Sequence, residues 1–391
     1  MKTLFKRLIC TVFCMLQIFS SLASAEIVSQ VNADVEAQIV NAPSAILIEQ
    51  ASGQVLYQLN PDQKLPIASV TKTMTMLLIM EALDSGKIKL TDTVTASEYA
   101  SSMGGSQIFL EPGEQMSVKD MLKAIVIASG NDAAVAMAEH IAGTETAFVE
   151  MMNKKAAELG CKNTHFINCN GLDETADHYS TARDVALISR ELLKHPQITE
   201  YTTVWMDTLR NGEFGLSNTN KLIRFYNGAN GIKTGSTSIA KYCLAASAKR
   251  NNMQLIAVVL AAPTTADRFA SATRLLDYGF ANYSVVNASE KVGALAPLAV
   301  LGGKENTVSV NADPNVNFIV KKGNSEKISV SVAANQPVKA PIKAGQVLGK
   351  ATCTVDGQKI AECNIVASHD VQRMTVGTMF TRMLYRWLCV N

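Results

Sequence analysis

The chain has 391 residues, 48% of them hydrophobic, with 36 basic and 34 acidic side chains and a net charge of +2. That length suits one large domain with a smaller companion, and the near-neutral balance, without an interior basic run, argues against any nucleic-acid partner. Five scattered histidines, with neither H-E-x-x-H nor C-x-x-C spacing, match no common metal pattern, so neither a metal nor any other cofactor is expected.

At the N-terminus, Lys2, Lys6 and Arg7 precede an apolar stretch from Leu8 to Phe19, and Ala23-Ser24-Ala25 offers a small-residue cleavage site. Residues 1–25 therefore read as a secretory signal. Its removal takes three basic and no acidic residues, leaving one excess negative charge. Export permits disulfides among the six remaining cysteines. Cys161 with Cys169 and Cys353 with Cys363 are the locally plausible pairs, although spacing does not establish them.

After a polar lead-in over 26–42, Ala45–Gln50 and Gln54–Leu59 read as a β-hairpin around Ala51-Ser52-Gly53. Ser69–Leu83 is helical by length and by its lack of internal Gly or Pro. Ser117-Val-Lys-Asp120 forms a capping box before Met121–Ala128, and a second helix from Asp132 to Ile141 is stopped by Gly143. Ser180 or Thr181 caps a further helix through Leu193. Cys243–Ala248 and Leu255–Ala261 have strand character, and Arg268–Phe280 is helical again. Strands at both ends with helices between imply an antiparallel sheet whose first and last strands meet. From Val292 to Val366, short β-rich runs between Gly, Pro and Asn turns suit a small all-β module. The last stretch sets Val376, Met379, Phe380, Met383, Leu384, Trp387 and Leu388 at helical spacing, with Arg382 and Arg386 on the other side. It reads as an amphipathic helix lying on a membrane surface, too short and too charged to span.

Three short motifs carry chemistry. Ser69-Val-Thr-Lys72 places a hydroxyl and an amine three residues apart on one helical face, so the amine can take the hydroxyl's proton if burial and a second cation keep it partly neutral. A helix N-terminus at Ser69 also lets its backbone N–H stabilise an oxyanion. Ser129-Gly-Asn131 lies between two apolar helices, where Ser129 can relay a proton to the leaving group and Asn131 can bind the substrate amide. Lys233-Thr-Gly235 supplies a positive charge, a hydroxyl for a terminal carboxylate and, through Gly235, room for close backbone approach. Ser238-Ile-Ala-Lys241 repeats the first pattern, but follows a Gly-Ser-Thr turn into a strand, where that spacing does not converge.

With these motifs, the phrases Asn170-Gly-Leu-Asp173, His178-Tyr-Ser-Thr-Ala-Arg-Asp184, Asn230-Gly-Ile-Lys-Thr-Gly235 and Ala340-Pro-Ile-Lys-Ala-Gly345 give a chain that resembles the low-molecular-mass penicillin-binding proteins of the D-alanyl-D-alanine carboxypeptidase type. The resemblance covers nearly the whole chain after the leader. It implies an α/β (α+β) fold of the serine β-lactamase and DD-transpeptidase kind, with an antiparallel sheet flanked by helices and a helical lobe. The implied domains are 26–285 for catalysis, 286–367 for a small β-rich domain and 368–391 for the anchoring helix.

The resemblance further implies removal of the terminal D-alanine from peptidoglycan stem peptides through an acyl-serine, with β-lactam antibiotics acylating the same residue. Location at the outer face of the cytoplasmic membrane follows from the leader and the C-terminal helix. By the same likeness, Ser236 gives the second oxyanion N–H and Arg268 helps hold the substrate carboxylate. Ser236 and Ser238 depart from the histidine and aspartate that some members carry, which bears on substrate preference. A DD-endopeptidase or transpeptidase specificity stays open as the main alternative. A serine β-lactamase would need a water-positioning acid such as Glu174, and a non-catalytic wall-binding scaffold would have lost Ser69 or Lys72.

Overall fold

A computed structural model describes residues 39–172, 175, 177–334 and 336–388. The expected leader over 1–25, Glu174 and Cys389 lie outside the described residues. The chain forms two compact units, one reaching Gly279 apart from Asn251–Met253, the other beginning at Phe280.

The first unit is built on a five-stranded sheet of β1 (Ser44–Glu49), β2 (Val55–Leu59), β3 (Ala229–Thr237), β4 (Lys241–Arg250) and β5 (Met253–Ala262), in the order β2-β1-β5-β4-β3. β1 pairs antiparallel with both β2 and β5, so the first and last strands do meet, and β3 pairs antiparallel with β4. β1 is buried at every position and β5 at all but two, as expected of strands covered on both faces. β3 stands at the sheet edge, with one backbone side free of strand partners.

The longest helices of the unit are α1 (Lys72–Asp84), α2 (Asn131–Ala142), α3 (Glu145–Glu158), α4 (Ala182–Leu192) and α5 (Thr265–Asn282). α1 is apolar on all sides and buries Met74, Met76, Leu77, Ile79 and Met80 completely, which makes it the spine of the core. The expected stops and starts hold. Ser117 accepts from the Asp120 N–H, Thr181 caps α4 by accepting from Asp184, and Gly143 ends α2 at φ 83°. Gly235-Ser236-Thr237, expected as a turn, is instead the end of β3, and the chain reverses after it.

The second unit pairs β6 (Tyr283–Asn287) antiparallel with a later strand, and adds a four-stranded sheet. That sheet consists of β7 (Val310–Ala312), β9 (Ile328–Ala334), β10 (Val347–Val355) and β11 (Gln358–Ala367) in the order β7-β11-β10-β9, and β8 (Asn317–Lys321) is the strand paired with β6. Val371 is buried and exchanges backbone hydrogen bonds with Ile342, so the chain just after Ser368 still belongs to this core. The final helix, α6, spans Val376–Leu388, with Val376, Phe380, Met383 and Trp387 exposed.

Neither of the two locally plausible cysteine pairings forms a disulfide. Cys161, Cys169, Cys243, Cys353 and Cys363 are all buried free thiols. In the β10–β11 ladder Cys353 faces Ala361 and Cys363 faces Ala351, a diagonal relation rather than a direct pair. Cys161 directs its Sγ at the Asp184 carbonyl, 3.7 Å away. Burial raises these thiols, Cys161 to about 12, and keeps them protonated and unreactive.

Candidate active site

The nucleophile turn comes first. Ala68–Thr71 is one 3-10 turn leading into α1, and a 3-10 repeat superposes residues three apart. Ser69 and Lys72 therefore meet more squarely than α-helical spacing alone allows, with Lys72 Nζ 3.0 Å from Ser69 Oγ. Ala68 enters the turn at φ 48°, a left-handed conformation unfavourable for a residue with a Cβ. Two glycine backbones press against the turn. A Cβ on Gly171 would lie 1.9 Å from the Ala68 carbonyl oxygen, and one on Gly235 would lie 2.6 Å from the Ile67 oxygen and 2.9 Å from the Ser69 nitrogen. Only glycine admits both approaches, and the second brings β3 alongside the Ser69 N–H.

Lys72 is fully buried, and its amine has three neighbours: Ser69 Oγ, Asn131 Oδ1 at 2.5 Å and the Asn170 carbonyl at 2.9 Å. A neutral amine carries two hydrogens and one lone pair. The two carbonyl oxygens can only accept, so they take the hydrogens and leave the lone pair for the Ser69 hydroxyl. Burial pushes the Lys72 amine down to about 7, partly offset by Cys169 and Asp132. Near neutral pH it is thus poised to accept a proton.

The second wall begins where Ala124–Ala128, a single π turn, ends at Ser129. Ser129 adopts φ 65°, ψ 30°, and such strain at a non-glycine residue is concentrated in functional sites. Asn131 opens α2. Its Oδ1 holds Lys72 and its Nδ2 donates to the Gly104 carbonyl at 2.7 Å. One amide hydrogen remains, so Asn131 positions the amine and can still donate once more. The next residue, Asp132, is completely buried and accepts from the backbone N–H groups of Ile108, Leu110 and Ala133. It thereby fixes the 104–110 loop against α2.

β3 supplies the third wall. Lys233 is buried and donates to the Thr234 carbonyl at 3.1 Å, while Thr234 Oγ1 lies 2.7 Å from Thr219 Oγ1. Burial first, then the charges of Lys72 and Arg268, push Lys233 well below its ordinary range. Ser236 is exposed at the end of the strand, beyond Gly235. Arg268 reaches β3, but its Nη1 donates to the Gly235 carbonyl at 3.0 Å and the Cys243 carbonyl at 3.3 Å. Its guanidinium lies over the Tyr242 and Phe269 rings, and its Nε is buried without a partner among the described residues. These contacts tie the guanidinium to the backbone of β3 and β4, beside Gly235.

Sequence reasoning missed several members of the site. Asn170 contributes through its carbonyl, which no side-chain pattern discloses, although the Asn170-Gly171 phrase was visible. Thr219, Asp132 and His178 were also unassigned. His178 Nδ1 accepts from the Ile167 N–H, so its Nε2 hydrogen faces Thr71 Oγ1 at 2.7 Å and helps hold the nucleophile turn.

A hydroxyl, a buried amine of lowered basicity and an edge strand bearing a second lysine make the site of a serine-type acyl-transfer hydrolase that works without histidine. The chain belongs to the D-alanyl-D-alanine carboxypeptidase family, which residues 30–264 match. Residues 280–373 match the C-terminal domain of penicillin-binding protein 5. The chain is 48% identical to the D-alanyl-D-alanine carboxypeptidase DacF of Bacillus subtilis, over 88% of this chain and 90% of that protein. It is 35% identical to a D-alanyl-D-alanine endopeptidase of Pseudomonas aeruginosa, over 59% of this chain and 75% of that one. The crystal structure of penicillin-binding protein 5 from Haemophilus influenzae superposes with a TM-score of 0.74 at 35% identity, covering 85% of this chain and 98% of that one.

Proposed function

We propose that this protein removes the terminal D-alanine from peptidoglycan stem pentapeptides through an acyl-enzyme on Ser69, at the outer face of the cytoplasmic membrane. The observation that carries the mechanism is the hydrogen-bonding of Lys72. With both amine hydrogens directed at carbonyls, its lone pair takes the proton as Ser69 Oγ attacks the carbonyl of the penultimate D-alanine. The backbone N–H groups of Ser69 and Ser236 receive the developing negative charge. Thr234 and Lys233 hold the terminal carboxylate, and that carboxylate in turn favours the charged form of Lys233. Ser129 passes a proton to the departing amine. D-Alanine leaves, and water hydrolyses the acyl-serine.

A β-lactam amide undergoes the same attack, but its leaving group stays tethered, so a stable adduct results. Intact mass measured before and after penicillin should show one covalent addition to the wild type and none to Ser69→Ala. An adduct on Ser69→Ala would overturn the assignment. D-alanine release from a pentapeptide, faster than nitrocefin hydrolysis, separates the carboxypeptidase from a β-lactamase. The likeness to an endopeptidase supports a second reading, cleavage of cross-linked stems, which chromatography of digested dimers would report. The exposed apolar arc of α6 supports peripheral attachment, and no helix among the described residues is long and apolar enough to cross a membrane.

A further inference from the structure

β3 is an edge strand, and an extended peptide can add to such an edge by main-chain pairing. The proposed roles fix its direction. With the terminal carboxylate at Thr234 and the scissile carbonyl between the Ser69 and Ser236 N–H groups, the substrate runs antiparallel to β3. Its earlier residues pass Thr237 and Ser238. Each residue advances about 3.3 Å, so the residue before the penultimate D-alanine, third in the stem, falls beside the reversal that joins β3 to β4.

A cavity of about 360 Å³ opens there, lined by Ser236, Thr237, Ser238, Lys241, Tyr242 and Pro263. Its walls are mainly hydroxyls and one cation. Thr237 Oγ1 accepts from the Ala240 N–H at 3.0 Å and closes the reversal, which gives the cavity a firm rim. Lys241 stands at φ 55°, where glycine or asparagine would sit with less strain, and its side chain is exposed. Among the described residues, no carboxylate pairs with it.

We propose that this cavity is the subsite for the side chain of the third stem residue, and that Lys241 selects a diamino acid carrying a free carboxylate over one that ends in an amine alone. A side chain with both amine and carboxylate presents an anion to Lys241 and amine hydrogens to the Ser236 and Ser238 hydroxyls. A lysine side chain brings only a like charge. The inference rests on the carboxypeptidase reading and names the substrate that reading leaves open.

The test compares D-alanine release from pentapeptides that differ only at the third position: meso-diaminopimelate, its carboxamide, and L-lysine. The wild type should favour the free acid about tenfold in kcat/KM at low salt, an advantage that shrinks at high salt, as expected of a partly exposed charge pair. Lys241→Asn, which suits φ 55°, should bring the ratio to near one, Lys241→Glu should reverse it and Lys241→Arg should keep it. Equal ratios for wild type and Lys241→Asn, or no preference in the wild type, overturn the subsite while the carboxypeptidase reading stands. Release from none of the three peptides by the wild type overturns both together.

Discussion

Burial alone would leave Lys72 neutral with its lone pair pointing anywhere; the carbonyls of Asn131 and Asn170 give that lone pair a direction. The pH dependence follows. The base is competent only when unprotonated, so kcat/KM for acylation should be low in acid and rise through about pH 7, then fall at higher pH as Lys233 loses the charge that holds the carboxylate. A profile already flat from pH 5 would mean that another group takes the Ser69 proton. Asp132 opposes the effect of burial on Lys72, so Asp132→Asn should move the acid limb to lower pH. Removing the carboxylate altogether, in Asp132→Ala, leaves the Ile108, Leu110 and Ala133 N–H groups without their acceptor. It should cost about 3 kcal/mol in denaturant unfolding. Lys72→Ala should slow penicillin acylation by about 10²–10⁴ while far-UV circular dichroism stays close to wild type.

Among the elements, the 3-10 turn and β3 have to stay in contact for the site to exist. Gly235→Ala would drive a methyl group into the Ile67 carbonyl and the Ser69 nitrogen, so we expect acylation to fall at least a hundredfold with the sheet retained. Wild-type acylation by that variant would show that β3 tolerates retreat from Ser69. Leu77→Ala, in the buried spine of α1, should instead cost about 2–5 kcal/mol of stability, with Ser69 chemistry unaltered in the folded fraction. Much at this scale was legible beforehand. Ser117, Thr181 and Gly143 mark helix ends because capping is written in side chains, and the meeting of β1 with β5 follows from where apolar strands fall. The 3-10 turn was not legible, since four residues do not distinguish a period of 3.0 from 3.6. Nor was the Asn170 carbonyl, because a backbone oxygen is the same in every residue. The Arg268 contacts to backbone were not legible either, since they depend on the register of Gly235 with Cys243.

For the molecule as a whole, the end of the second unit determines where the chain can be cut. Ser368 was the natural boundary from composition, yet Val371 is a core residue paired with Ile342, so a shortened protein should end after Met374. That form should leave membrane pellets for the supernatant and keep its rate on soluble pentapeptide; retention in the pellet would mean that α6 is not what holds the protein. The 13 residues of α6 form a rod about 20 Å long with its apolar arc turned outward. Under the proposed attachment, such a rod lying flat in a bilayer would confine the enzyme to diffusion in two dimensions. Encounters with immobile polymer are then governed by how many copies occupy each patch of surface, and detachment should slow trimming of intact sacculi far more than it slows turnover of any dissolved peptide.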